Sequence, residues 1–133
     1  MMAFPTLTAA YAAIFAIVYL ALAGWVVAGR GKYRAFHGDG GATALNRRIR
    51  AHANFNEYVP LLLIMTALLE GGGAASVTMH ALLGTLVIAR IMHPIGMVAP
   101  DKTIRQFIFR GLSAIATWII LLVTAILLLL RLA

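Results

Sequence analysis

The 133 residues suffice for one compact domain and not for two. Hydrophobic residues make up 62% and charged residues 11%, against roughly 25% charged in an average soluble domain, so the chain could not cover a water-exposed surface. The formal charge of +7 sits largely in short connections between apolar runs, as at membrane boundaries and not as in a nucleic-acid-binding face, and the absence of cysteine excludes a disulfide framework, a thiolate nucleophile and a Cys-based zinc site.

Met1 to Gly29 carries no charged side chain. Residues 4–28 supply the ~20 apolar positions that one membrane-crossing helix needs. A signal peptide ending at Ala21-Leu22-Ala23 is the competing reading, but it lacks a basic leader and its apolar run is too long. The stretch from Arg30 to Arg50 is polar, glycine-rich around Gly38–Gly41, and holds six Lys or Arg residues. It reads as a loop running into a second helix over 44–70, which Gly71-Gly72-Gly73 ends in the tight turn of an antiparallel hairpin. A third helix is expected over 75–97, with Pro94 as a kink or an end. After a short turn at 99–102, a fourth helix covers 103–132. Its segment Leu121–Leu130 has no polar stripe, which lipid tolerates and water does not.

The expected fold is therefore all-α, a single-domain integral membrane bundle of four helices spanning 1–133. Lys and Arg crowd the first and third connections and are absent from the Gly71–Gly73 turn. By the positive-inside bias those connections are cytoplasmic and both termini lie on the non-cytoplasmic side.

Helix two carries the richest chemistry. At ~100° per residue, Arg47, Arg50, Asn54 and Glu57 fall on one stripe, with Arg48 and His52 on the other side. A carboxylate in mid-membrane costs ~2.5–3.5 kcal/mol on the lenient insertion scale, so Glu57 should find a partner. Arg50 on the same face and Arg90 on helix three are the candidates, and Arg90 is the expected cross-helix one. Two readings stand: a structural polar clamp between helices, or an anion-binding pocket in which several arginines outnumber one carboxylate. On helix three, Arg90, His93 and Met97 share a face. Arg90 reads as interior or as a snorkelling residue, and His93 as a hydrogen-bonded helix residue more readily than a catalyst. His37, His52, His80 and His93 show no ligand spacing, so no metal site is expected.

Arg50, Asn54, Glu57, Tyr58 and Pro60, together with Arg90 and Gly96, resemble the helix-two and helix-three motifs of the MAPEG family, the membrane-associated proteins in eicosanoid and glutathione metabolism. The resemblance covers nearly the whole chain, although His93 and Met97 stand where the family has aromatics. It implies a homotrimer with glutathione sites between neighbouring subunits near the cytoplasmic face. Glutathione as co-substrate would then be held by Arg50, Asn54, Glu57 and Arg90, with Tyr58 and His93 beside them. Arg30 and Arg34 match the family's basic segment after helix one, and Arg105 is nearest in spacing to the arginine that stabilises the thiolate.

The pattern is most similar to the small bacterial branch, which implies a multi-pass protein of the bacterial inner membrane. The expected function is a glutathione-dependent transferase or peroxidase acting on a lipophilic small molecule delivered from the lipid bilayer. The alternative is a non-catalytic membrane protein that binds a lipid or anionic ligand, or a scaffold.

Overall fold

A computed structural model describes residues 3–132. The chain folds into four long antiparallel helices: α1 (Thr6–Tyr33), α2 (Thr43–Gly71), α3 (Ser76–Val98) and α4 (104–132). The last begins as one turn at Ile104–Gln106, passes through π-helical residues Phe107–Leu112 and continues as Ser113–Leu132. α1, α3 and α4 are long and apolar enough to cross a membrane. α2 falls short on composition alone, because Asn54, Asn56 and Glu57 interrupt its apolar run. It packs among the others all the same, and the protein is a multi-pass integral membrane bundle.

The boundaries depart from the sequence reading chiefly at the end of α1, and of the two expectations for Pro94 a helix end is not realised. α1 does not stop at residue 28 but runs on to Tyr33, where Arg34 adopts a left-handed conformation (φ 52°) and closes it. The basic residues Arg30 and Lys32 thus belong to its last turn, where cations are favoured by the exposed carbonyls. Pro94 neither ends α3 nor marks its boundary, since the helix continues to Val98. The end comes from Pro100, which keeps Ala99 extended (φ −63°, ψ 151°).

Where Phe15 and Leu22 of α1 meet Phe55, Val59, Leu62 and Leu69 of α2, a core forms that Met79, Leu83 and Leu86 of α3 and Ile120 of α4 complete. Outward faces are as apolar as the core: Ile17, Leu20, Val27, Ile64, Ile88, Leu122 and Leu129 are all exposed. Such a surface is stable only against hydrocarbon. Hydroxyls inside the bundle turn back on their own helices, as in Thr66 to the Leu62 carbonyl at 2.8 Å and Thr124 to that of Ile120 at 2.7 Å. This satisfies a donor that apolar surroundings would otherwise penalise.

Each end of the bundle is closed by side chains. At one, the Glu70 carboxylate accepts the backbone N–H groups of Leu7 and Thr8, both at 2.7 Å, capping α1 from another helix. Arg131 of α4 caps α2 there, donating to the carbonyls of Leu69 and Gly72. At the basic end, Arg47 bonds Asp101 at 2.7 Å and the Ala99 carbonyl at 2.9 Å, tying the start of α2 to the turn between α3 and α4.

Candidate functional site: an arginine-lined cleft

Arg90 is the hub of the basic half of the bundle. It is only 2% exposed and reaches two helices at once. One Nη donates to Asn54 Oδ1 on α2 at 2.7 Å; the other donates to the Ser113 carbonyl at 3.2 Å and to Thr117 Oγ1 at 2.5 Å, both on α4. Its guanidinium also lies 6.0 Å from the centroid of the Tyr58 ring, whose hydroxyl accepts the Trp118 indole N–H at 3.1 Å. Its Nε has no partner. Every bond it makes is to a neutral acceptor.

That arrangement corrects one expectation. Arg90 does not pair with Glu57. The Glu57 carboxylate lies 3.7 Å from Arg50, two turns back on the same helix, and both side chains are half exposed (47% and 59%). The reason is angular: three residues along a helix is ~300°, so Glu57 points ~60° away from Asn54. Asn54 faces the α3–α4 seam and meets Arg90, while Glu57 turns outward. An exposed pair at that distance contributes ~0–1 kcal/mol.

Beside Arg90 opens a cleft of about 270 Å³ between α2, α3 and α4, lined by Arg50, Asn54, His93, Met97, Arg110, Gly111, Ala114 and Trp118. Arg50, Asn54 and His93 are thus brought together, with Tyr58 and Glu57 flanking them. The wider groove next to it, about 530 Å³, shares Arg110 and Gly111 and runs out past Lys102 and Gln106. Arg30 and Arg34 are elsewhere in the chain, lining a separate groove with Val27 and Phe36, and Arg30 donates to the Phe36 carbonyl at 2.5 Å. Arg105 is exposed and lines none of these cavities.

Arg110 is the residue that spacing missed. It lies in the π-helical stretch of α4, and that stretch can sit so close because the facing residue is Gly96. A Cβ on Gly96 would collide with the backbone of Phe109 and Arg110. Local widening of α4 and the missing side chain on α3 together set Arg110 on the cleft. The available signal was an arginine inside the fourth apolar run, which invites the same question as Glu57. Among the described residues, no group of three His, Asp or Glu side chains could hold a metal ion.

The cleft therefore offers two arginines at its wall, a third buried behind it, amide and imidazole groups, and an indole. It has the chemistry to hold a flexible anion carrying polar groups, with a lipid-facing approach along Trp118. In comparison with known proteins, the sequence model of the MAPEG family matches residues 8–130. Two curated proteins, each named inner membrane protein YecN, from Escherichia coli strain K12 and from E. coli O6:H1 strain CFT073, are both 33% identical over 115 residues. The match covers 86% of this chain and 84% of each relative. No solved structure matches.

Proposed function

The chain belongs to the MAPEG family, and from that premise we propose that this inner-membrane protein binds glutathione in the α2–α3–α4 cleft and uses its thiol on lipophilic electrophiles or peroxides. One observation carries the reading: Arg90 is buried with hydrogen bonds but no carboxylate, and Arg50 and Arg110 line the cleft in front of it. Of the four acidic residues, Asp39, Glu70 and Asp101 are engaged elsewhere and Glu57 takes Arg50 alone. The excess positive charge is suited to the two carboxylates of glutathione. Glu57, with Asn54 nearby, is suited to the ligand's ammonium and amide groups.

Arg110 takes the role that spacing gave to Arg105. A guanidinium beside the sulfur favours thiolate over thiol, as neighbouring cations do for a cysteine. The thiolate then forms a C–S bond to the electrophilic carbon as the leaving group departs with the bonding pair. Ala114 and Trp118 offer an apolar approach from the bilayer, and the membrane concentrates the acceptor there.

Arg30 and Arg34 lie away from the cleft of their own subunit; in the homotrimer that the family resemblance implies, a neighbouring subunit's basic segment would complete the site. Calorimetric titration of detergent-solubilised protein with glutathione tests the proposal. Saturable binding is expected, with Arg110→Met slowing conjugation of a model electrophile at saturating glutathione and Arg105→Met leaving it unchanged. No binding overturns the reading. Binding without turnover leaves the non-catalytic alternative in its place.

A further inference from the structure

A second basic cavity, of about 490 Å³, lies where α1, α2 and α3 meet at the arginine-rich end; Trp25, Thr43, Ala44, Arg47, Arg48 and Val98 line it. Its two arginines differ in what they already hold. Arg47 is paired with Asp101, so its charge is balanced. Arg48 has no carboxylate: it donates one hydrogen bond, to the Trp25 carbonyl at 3.2 Å, and its guanidinium lies 5.0 Å from the centroid of the Trp25 ring. A guanidinium has five N–H donors, and none of the Arg48 nitrogens is buried without a partner. Its unused donors are therefore accessible.

This placement is built into the helix packing. A Cβ on Gly29 would stand 2.8 Å from Leu45 Cδ1 and 3.2 Å from both Cδ and Nη1 of Arg48. Glycine at that position lets α1 and α2 close on each other with Arg48 lying across the seam. The lining of the cavity combines apolar Trp25, Ala44 and Val98 with polar Thr43, Arg47 and Arg48. It also straddles a boundary. Trp25 lies five residues before Arg30, the first charged residue of the chain. A tryptophan at such a level is suited to the bilayer interface.

We propose that this cavity seats the phosphodiester of an acidic phospholipid. Arg48 and the Thr43 hydroxyl hold the phosphate, and the acyl chains descend along Trp25 and Val98 into the bilayer. The charges match: one uncompensated guanidinium meets one phosphodiester monoanion. A zwitterionic headgroup would bring a second cation towards Arg47. Free inorganic phosphate lacks the apolar portion that the apolar lining accommodates. Arg48 lies on the opposite side of α2 from Arg50, so this site is separate from the proposed glutathione cleft.

The test uses full-length protein in neutral detergent, with phosphatidylglycerol, phosphatidylcholine or inorganic phosphate added, and thermal unfolding as the readout. Phosphatidylglycerol should raise the Tm saturably and the other two should not. Arg48→Gln should weaken the apparent affinity for phosphatidylglycerol about tenfold, the loss of one charge-assisted contact, while glutathione affinity is unchanged. A second measurement keeps Arg48 intact. In Trp118→Phe protein, Trp25 is the only tryptophan, and brominated phosphatidylglycerol should quench it more than brominated phosphatidylcholine does. Equal effects of the two lipids, equal stabilisation by inorganic phosphate, or undiminished affinity in Arg48→Gln would each overturn the assignment.

Discussion

Arg50 lines the cleft and Arg90 lies buried behind it, and their surroundings predict opposite consequences of removing them. The Arg50 side chain is 59% exposed and its one ion pair is long, so Arg50→Ala should leave the Tm nearly unchanged. Its contribution should appear in the ligand: charge-assisted hydrogen bonds contribute ~1.5–3 kcal/mol, so glutathione affinity measured by calorimetry should fall roughly ten- to hundredfold. Arg90→Met removes the donor to the part-buried Asn54 Oδ1 and to the buried Ser113 carbonyl and Thr117 Oγ1. An orphaned polar group of that kind costs ~1–3 kcal/mol, so this variant should unfold earlier even without ligand. Because Glu57 and Arg90 are not in contact, Glu57→Gln with Arg90→Met should lose the sum of the single losses to within ~0.5 kcal/mol. A measured coupling well above that would place Glu57 against Arg90 and contradict the geometry described. The polar stripe of α2 was readable from spacing, because a carboxylate and an asparagine inside an apolar run demand partners. Who partners whom was not readable. A 60° difference in direction separates Asn54 from Glu57, and one-dimensional periodicity cannot say which of them the neighbouring helix approaches.

Helix existence was the most legible feature, since runs of ~20 apolar residues separated by Gly and Lys/Arg clusters leave few alternatives. Helix irregularity was not. The π-helical residues Phe107–Leu112 carry no proline or glycine pair that announces them, apart from Gly111. They pack against Gly96 across the interface, where a side chain would leave them no room. Arg105 is named from its spacing to the arginine of the family that the chain resembles, and such spacing carries no sign that Arg110, five residues on in this irregular stretch, lines the cleft. Two glycines allow a matched test of the close approach. Gly96→Ala forces a methyl group into the α4 backbone, which cannot swing aside as a side chain would, and should cost at least about 2 kcal/mol in thermal unfolding. Gly31→Ala meets nothing within 4 Å and should be neutral or stabilising by ~0.5–1 kcal/mol, the ordinary helix preference for alanine. If Gly96→Ala behaves like Gly31→Ala, the α3–α4 seam is looser than described.

At the scale of the whole molecule, the charges sort to one end. Arg30, Lys32, Arg34, Arg47, Arg48, Arg50, Lys102 and Arg105 all lie at the end tied by the Arg47–Asp101 pair, whereas the opposite end has Arg131. Orientation should follow: a reporter inserted near Gly40 is expected in the cytoplasm, and one fused after Ala133 outside it. The reverse result at either site would put the cleft on the wrong face for cytoplasmic glutathione. Crosslinking in mild detergent should stop at three subunits, and a ladder ending at two would remove the neighbouring arginines from the proposed site. The end opposite the cleft has a consequence of its own. Ala3 donates its N–H to the Gly71 carbonyl at 3.2 Å, Glu70 caps α1, and Arg131 caps α2 at the same turn. Both ends of the described chain are thus held at one corner, within reach of a linker of about six residues (~20 Å fully extended). A circular permutant joined there and opened between Gly38 and Gly41 would keep the four helices and their caps intact. Its new termini would emerge on the basic side of the membrane, so the same bundle could present a tag to either compartment.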